Sequence, residues 1–220
     1  MRETARQVLR ADQRVHWRGL HYAMVANGKI RKPNGTIYRN TKEDWDWLVI
    51  GPAKAARWLG YIPFERISDQ RNDDPIIHRV ERVAPEARLL IGLDVEIPDA
   101  DDIEPLPTAD GFIARQPFHF VIFGEKSSLE DIVLPIAEEF ESDLYLASGE
   151  ISDTLTHQIA KDTNNDGRPL VLFTLTDFDP AGYQMAVSIG RKLQACRDLL
   201  FPDLSFELVP VALTDDQVGD

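Results

Sequence analysis

A single cysteine, Cys196, stands in this chain of 220 residues. One thiol excludes a disulfide framework and a cysteine-based zinc site, and it suits a reducing compartment. Long apolar runs are lacking too: none approaches the roughly 20 residues a membrane helix needs. The first residues carry arginines at intervals where a secretory signal would have its hydrophobic region, so no such signal is read there. Neither a Walker loop nor a glycine-rich dinucleotide fingerprint occurs, so an ATP-driven cycle would have to come from a partner subunit. Internal repeats and low-complexity tracts are missing as well. These absences lead to the expectation of a soluble, cytoplasmic protein without a membrane partner. A hydrophobic fraction of 43% is enough to build a real core.

The net charge of −13 argues, taken alone, against a nucleic-acid partner. Its distribution argues the other way. Residues 1–88 hold 17 Lys and Arg against 11 Asp and Glu, whereas residues 89–220 hold 7 against 26. Within residues 1–42 the ratio is 10 to 2, the electrostatic footprint of a phosphate-backbone binder, although a solvated basic helix would give the same count. Arg14, Lys29, Arg31, Lys32 and Arg39 are the DNA-contact candidates in that stretch.

Spacing predicts a basic helix over residues 2–11 and a second from Trp17 to Ala26, with Trp17, Leu20, Met24 and Val25 on one buried face and Asn27-Gly28 closing it. Lys29 to Arg39 reads as a hairpin around Asn34-Gly35, because that pair readily supplies the positive φ a tight turn needs. Thr41 caps a helix from Lys42 towards Ile50, and Pro52 to Leu59 forms another, ended by Gly60. Helices with a basic ribbon suggest a winged helix-turn-helix over residues 1–88. Residues 89–117, rich in Asp, Pro and Glu, read as a connector.

Beyond it the pattern alternates: apolar Phe118–Phe123, a helix from Ser127 to Phe140, apolar Leu144–Ala147, a helix near Ser152–Lys161, apolar Leu170–Leu175, a helix from Pro180 to about Leu199, and apolar Phe206–Leu213. Such alternation predicts a mostly parallel sheet covered on both faces over residues 118–220, giving an α/β class for the whole.

The chemistry candidates lie where strands end. Thr176-Asp177-Phe178-Asp179-Pro180 follows the Leu170–Leu175 run, and two carboxylates one residue apart on extended backbone project to the same side. Pro180 suits a helix's first turn with Asp179 as its cap. Glu125 follows the first apolar run in the same way, so three carboxylates would converge at the carboxyl ends of strands, where open parallel sheets gather their ligands. Hard oxygens in partial number fit magnesium better than zinc or calcium. Helix capping and surface charge explain the same residues without any metal. Lys126 either touches phosphate or neutralises its acidic neighbours. His16, His78, His119 and His157 have no ligand spacing and read as surface or satisfied histidines. Trp45, Trp47 and Trp58 read as core, with base stacking as the alternative.

Phe123-Gly124-Glu125-Lys126, followed by Asp177-Phe178-Asp179-Pro180-Ala181-Gly182, resembles the Toprim domain in the form found in the A subunit of topoisomerase VI and in meiotic double-strand-break proteins. Ser148-Gly149-Glu150-Ile151-Ser152-Asp153 resembles that family's intervening glycine-containing loop. The resemblance implies a Rossmann-like, mostly parallel Toprim sheet in which Glu125, Asp177 and Asp179 bind Mg2+, with Glu125 also catalytic. It further implies a nucleophilic tyrosine four residues after an arginine on a helix of a preceding winged-helix domain, which Arg18-Gly19-Leu20-His21-Tyr22 matches. The relatives usually have an acidic or amide residue where Gly19 stands and often an aromatic where His21 stands. Carried over, Tyr22 attacks a DNA phosphodiester, Arg18 holds the phosphate and His21 accepts a proton; a core tyrosine on the helix's apolar face is the other reading of Tyr22.

A homodimer and a separate ATPase subunit are also implied by the resemblance. Many relatives carry a C-terminal extension that this sequence does not include, so the chain is read as a compact variant or a fragment. Three functions follow as expectations: a topoisomerase VI A-like transesterase working through a phosphotyrosyl intermediate, a Toprim nuclease using metal-activated water, or a non-catalytic DNA-binding subunit.

Overall fold

A computed structural model of the chain describes residues 14–68, 74–81, 116–213 and 217. The helix expected over residues 2–11 and nearly all of the connector at 89–117 lie outside the described residues. The described chain opens with strand β1 (Val15–His16) and helix α1 (Trp17–Asn27). His16 caps α1, its side chain accepting the Arg18 N–H, and Gly28 ends it at φ 63°, a left-handed conformation that costs glycine little. Trp17, Leu20, His21 and Met24 form its buried face. His21 joins this set in place of Val25 because both ring nitrogens find partners inside: Nδ1 lies 2.6 Å from the Tyr38 hydroxyl and Nε2 lies 3.0 Å from Asn40 Oδ1.

The hairpin at 29–39 forms as a short ribbon. Gly35 N donates to Lys32 O across the turn, with Gly35 at φ 81°, and Arg31 and Ile37 make a single antiparallel bridge. Helix α2 (Lys42–Ile50) follows, with Thr41 Oγ1 accepting the Asp44 N–H as its cap, and then α3 (Pro52–Trp58). Strand β2 (Ile67–Ser68) pairs in parallel with β1. Trp17, Leu20, Met24, Tyr38, Leu48, Ala53, Ile62 and Ile67 form one apolar core, against which Trp45 and Trp47 pack.

The second unit is a five-stranded, mostly parallel sheet. Its elements are β3 (Ile76–His78), β4 (His119–Gly124), α4 (Glu130–Glu139), β5 (Asp143–Leu146), α5 (Asp153–Asp166), β6 (Leu170–Leu175), α6 (Pro180–Leu199) and β7 (Phe206–Ala212). The strand order is β3-β5-β4-β6-β7, with only β3 antiparallel. Alternation along the strands sends Val121, Phe123 and Leu172 to the face covered by α5 and α6, and Ile122, Leu144 and Leu146 to the face covered by α4. Both faces are therefore buried, as expected for parallel strands with helical crossovers. Strand β3 was not foreseen: it belongs in sequence to residues 1–88 yet pairs Ile76 with Leu146 at the edge of this sheet. Three residues are too few for a legible alternation.

At the amino ends of β4 and β5 the fully buried His119 bridges Thr163 Oγ1 and Asp143 Oδ2, each at 2.9 Å. Asp143 Oδ1 also accepts the Val80 N–H, which ties the chain after β3 to the sheet. His78 Nε2 lies 2.7 Å from Glu130 Oε1. These two histidines are thus satisfied structural groups.

The units meet where α3 and the residues after it pack on α5. Arg57 donates to Phe64 O and to Thr154 Oγ1, Trp58 Nε1 donates to Asp153 Oδ2, and the His157 ring stacks on Phe64 at 4.2 Å. Trp58 is therefore a docking residue. Burial holds the His157 imidazole below its ordinary value, and nearby Lys161 and Arg57 act the same way while Glu65 and Asp162 oppose. A base with a lowered folded value resists protonation in the native state. Stability is then fully present above about pH 6.5 and falls as pH drops from there through the lowered value. Thermal unfolding at pH 7.5 and pH 5.5 is expected to show a larger fall in Tm for the parent than for His157→Phe; equal falls would contradict this. Among the described residues, no helix is long and apolar enough to cross a membrane.

Candidate functional site

Adjacent strands β4 and β6 run in register to their carboxyl ends, Gly124 opposite Leu175. One residue on, Glu125 N donates to Leu175 O at 3.0 Å, and the Glu125 carbonyl accepts Gly149 N at 2.9 Å. Three segments therefore meet at one rim: Glu125-Lys126, the loop at Ser148-Gly149, and Thr176 to Asp179. A Cβ at Gly124 would lie 2.6 Å from Leu146 Cδ2, a side-chain tip that would have to shift to admit a larger residue. Thr176 is clamped on its other side by β7, through Thr176 N to Ala212 O and Leu213 N to Thr176 O.

Glu125 Oε2 lies 3.5 Å from the Asp177 N–H, which brings that carboxyl to the strand-to-helix junction. Asp179 Oδ1 accepts Gly182 N at 2.7 Å, capping α6 with Pro180 in its first turn. Lys126 Nζ lies 2.8 and 2.6 Å from the two Asp177 oxygens, and both side chains are about half exposed. The hydrogen bond to Asp177 raises the lysine's pKa, with further contributions from the charges of Asp177, Glu125 and Asp179. The ammonium's contact is with Asp177.

As the side chains stand, no three His, Cys, Asp or Glu among the described residues converge into a ligand set. The donors nonetheless suit a hard divalent cation: they are carboxylate oxygens, they come from neighbouring strand ends, and they face solvent in a number that leaves room for water and phosphate. Asp179 commits one oxygen to the helix cap and keeps other lone pairs.

The intervening loop divides its acids differently. Glu150 is exposed, whereas Asp153 is turned inward to Lys54 and Lys192, each at 3.3 Å, and to Trp58. Asp153 joins the units together and takes no part in the rim.

On α1, Tyr22 is 59% exposed, which removes the reading of a core tyrosine. With Trp17, Leu20, His21 and Met24 turned inward, position 22 lies on the outer shoulder of the helix. Arg18, one turn earlier, is exposed as well. His21 is only 5% exposed, and its two nitrogens are engaged by Tyr38 and Asn40, so it is not placed to accept a proton from Tyr22. Arg14, Lys29, Arg31 and Arg39 present their side chains to solvent, with Arg31 also donating to Gly35 O. Lys32 does not: its ammonium is bound to the buried Asp44 beneath the ribbon, so its charge is spent within the fold.

The residue reading overlooked two aromatic side chains beside the carboxylates. Phe178 and Tyr183 are 39% and 47% exposed, and their rings meet edge to face at 5.7 Å. A signal existed in Phe178 itself, a large apolar residue between two aspartates where a parallel strand has already ended.

Comparison of the chain with protein-family models, with curated proteins and with solved structures finds no match, so the functional reading rests on this rim and on the residues of α1.

Proposed function

We propose that the protein is a magnesium-dependent DNA-cleaving enzyme of the topoisomerase VI A type, with residues 14–68 as a winged-helix-like head and the parallel sheet as a Toprim domain. The observation that supports the reading is that Glu125-Lys126 and Asp177 to Asp179 follow neighbouring strands at one rim of the sheet, where Lys126 pairs with Asp177 and Glu125 Oε2 accepts from the Asp177 N–H at 3.5 Å. Glu125, Asp177 and Asp179 would hold Mg2+, which when bound neutralises charge on a DNA phosphate. Lys126, released from Asp177, would contribute a second positive charge to the same phosphate. Arg18 binds a phosphate oxygen, and the Tyr22 hydroxyl oxygen bonds to phosphorus as the bond to the leaving deoxyribose oxygen breaks. The phenol gives up its proton to water as it attacks, and the outgoing deoxyribose oxygen takes one from water, so that the exchange balances. Arg14, Lys29, Arg31 and Arg39 hold the flanking backbone. A homodimer with each tyrosine serving the partner's carboxylates, and a separate ATPase subunit, complete the proposal, which places the protein in the cytoplasm.

A second reading is favoured by one observation. Because His21 is committed to Tyr38 and Asn40, Tyr22 lacks an evident base, and a tyrosine needs one to act as a nucleophile near neutral pH. In a Toprim nuclease, water takes the tyrosine's place.

The test is incubation of supercoiled plasmid with magnesium and the purified chain. Asp177→Ala is expected to lower nicking or linearisation by at least about a hundredfold under either reading. Tyr22→Phe abolishes cleavage and the covalent protein-DNA adduct in the transesterase and leaves both rate and products unchanged in the nuclease. Full cleavage by the Asp177→Ala protein would overturn both.

A further inference from the structure

Helices α5 and α6 both lie against one face of the five-stranded sheet, whereas α4 alone packs on the other. Its cover stops short of β7. On the α4 face Phe173 pairs with Val209 and Val171 with Glu207, and none of the four is fully buried. Phe120 meets Phe173 edge to face at 5.6 Å and stacks on the exposed Phe118 at 6.3 Å, so a row of rings continues this strip. The flank of α4 beside it is apolar too. At about 100° per residue, the buried Val133 and Ala137 lie between Glu130 on one side and Ile132, Ile136 and Phe140 on the other. Glu130 is held by His78 of the edge strand β3, so the opposite side looks towards β6 and β7. There Ile132, Ile136 and Phe140 are 67%, 47% and 56% exposed, at the i, i+4, i+8 spacing of one helical face.

We infer that this groove, walled by α4 and floored by β6 and β7, is a docking site for a basic amphipathic helix of a partner protein. Parallel sheets bury both faces beneath helices, and one helix, about 10 Å across, spans the two strands that α4 leaves uncovered. The charge at the borders selects the sign of the occupant. Neither α4 nor β7 has a basic residue: α4 contributes Asp131, Glu138 and Glu139 to its outer side, Glu141 follows it, and Glu207 stands on β7. Arg168, just before β6, is taken up by Asp166 and Gln116 O. An apolar helix face would cover Ile132, Ile136, Phe140 and Phe173 while lysines or arginines along its edges answer the carboxylates. A second copy docked two-fold on the same face would set these acids against each other, and nucleic acid or anionic lipid would be repelled by them. The inference stands apart from the phosphodiester reading, since no residue of the carboxylate rim takes part.

The test uses the full chain and a fluorescein-labelled synthetic helix with leucines at i, i+3, i+4 and i+7 and lysines on both flanks, followed by anisotropy at low and at physiological salt. Saturable binding is expected, weaker by roughly tenfold or more in Ile132→Gln/Ile136→Gln and by about threefold in Val209→Thr. Both isoleucines are exposed and glutamine is a good helix former, so the double variant keeps the fold, which circular dichroism verifies. Glu139→Lys/Glu207→Lys should bind more weakly at low salt and lose most of the parent's salt dependence. A peptide of the same composition with its leucines scattered round the helix should bind the parent and the glutamine variant alike. Lack of saturable binding overturns the inference, as does equal affinity of the parent for the two peptides or equal affinity of parent and glutamine variant for the amphipathic one. Growth of the parent's mass with concentration in sedimentation, abolished by Ile132→Gln/Ile136→Gln, overturns it in favour of a second copy.

Discussion

Gly182→Ala is expected to unfold the start of α6, while Gly190→Ala on the same helix stabilises the protein. A Cβ at 182 would lie 2.0 Å from the carbonyl oxygen of Asp177 and 3.1 Å from its carbon, atoms of the backbone that cannot rotate aside as a side-chain tip can. Either the helix or the Asp177 peptide has to move by more than an ångström. Displacement of the peptide carries the Asp177 N–H away from Glu125 Oε2 and the Asp177 carboxylate away from Lys126, and displacement of the helix breaks the Asp179 cap. Over-packing of this kind costs about 1–3 kcal/mol and more where backbone is the obstacle, or roughly 2–4 °C in Tm per kcal/mol for a chain of this size. At Gly190 a Cβ meets nothing within 4 Å, so alanine there removes only the entropic penalty of a mid-helix glycine, about 0.5–1 kcal/mol. Thermal or guanidinium unfolding of the two variants is expected to give shifts of opposite sign. Similar stability of Gly182→Ala and the parent would show that the close approach does not hold.

Asp44→Ala is expected to cost about 3 kcal/mol and to dismantle the ribbon that carries Arg31 and Arg39. Asp44 is 4% exposed and has three tasks in the ribbon and the local helix: its carboxylate Oδ1 binds the Lys32 ammonium, Oδ2 accepts the Arg39 N–H at 2.7 Å, and its backbone N–H donates to Thr41 Oγ1 to complete the cap. Alanine keeps the cap but strands a half-buried ammonium and a backbone donor. The lower end of the usual range for breaking a buried pair is expected here, because the Lys32 side chain is 17% exposed and can turn towards water. Lys32→Met should cost less, since Asp44 keeps the Arg39 N–H. The Lys32 hydrogen bond, helped by Arg39 and Thr41 against the opposing effect of burial, holds the Asp44 carboxyl below its ordinary value. A depressed carboxylate contributes stability above about pH 4 that is lost as pH falls through the folded value, so the gap between parent and Asp44→Ala should narrow in acid. Guanidinium unfolding at pH 7 and pH 3 measures both effects; a constant gap would exclude the linkage.

Elements with strong periodicity or a distinct cap were legible in residues alone. Leu170–Leu175, the Pro180 helix capped by Asp179, the Thr41 cap and the Gly28 stop all follow from local chemistry, and the structure places each within a residue or two of its expectation. Side-chain direction on α1 was not legible, because periodicity counts histidine as polar and only the partners at Tyr38 and Asn40 make His21 a core residue. Lys32 was misplaced for the same reason: its sequence neighbours are basic, and the acid that binds it comes twelve residues later on another element.

The sequence by itself determined the α/β class, the mostly parallel sheet, the strand-to-helix junction at Asp177–Pro180 and the division between a basic front and an acidic remainder. Those depend on interactions within a few residues or on totals of charge, which no folding is needed to read. Tertiary structure alone decided that β3 closes the sheet edge, that Asp153 and His157 join the units, that Tyr22 faces outward, and that Glu125 reaches the junction beside Asp177. Each of these is a meeting of side chains or strands far apart in the chain. Strand register and helix packing set such distances, and neither is encoded in any one stretch of residues.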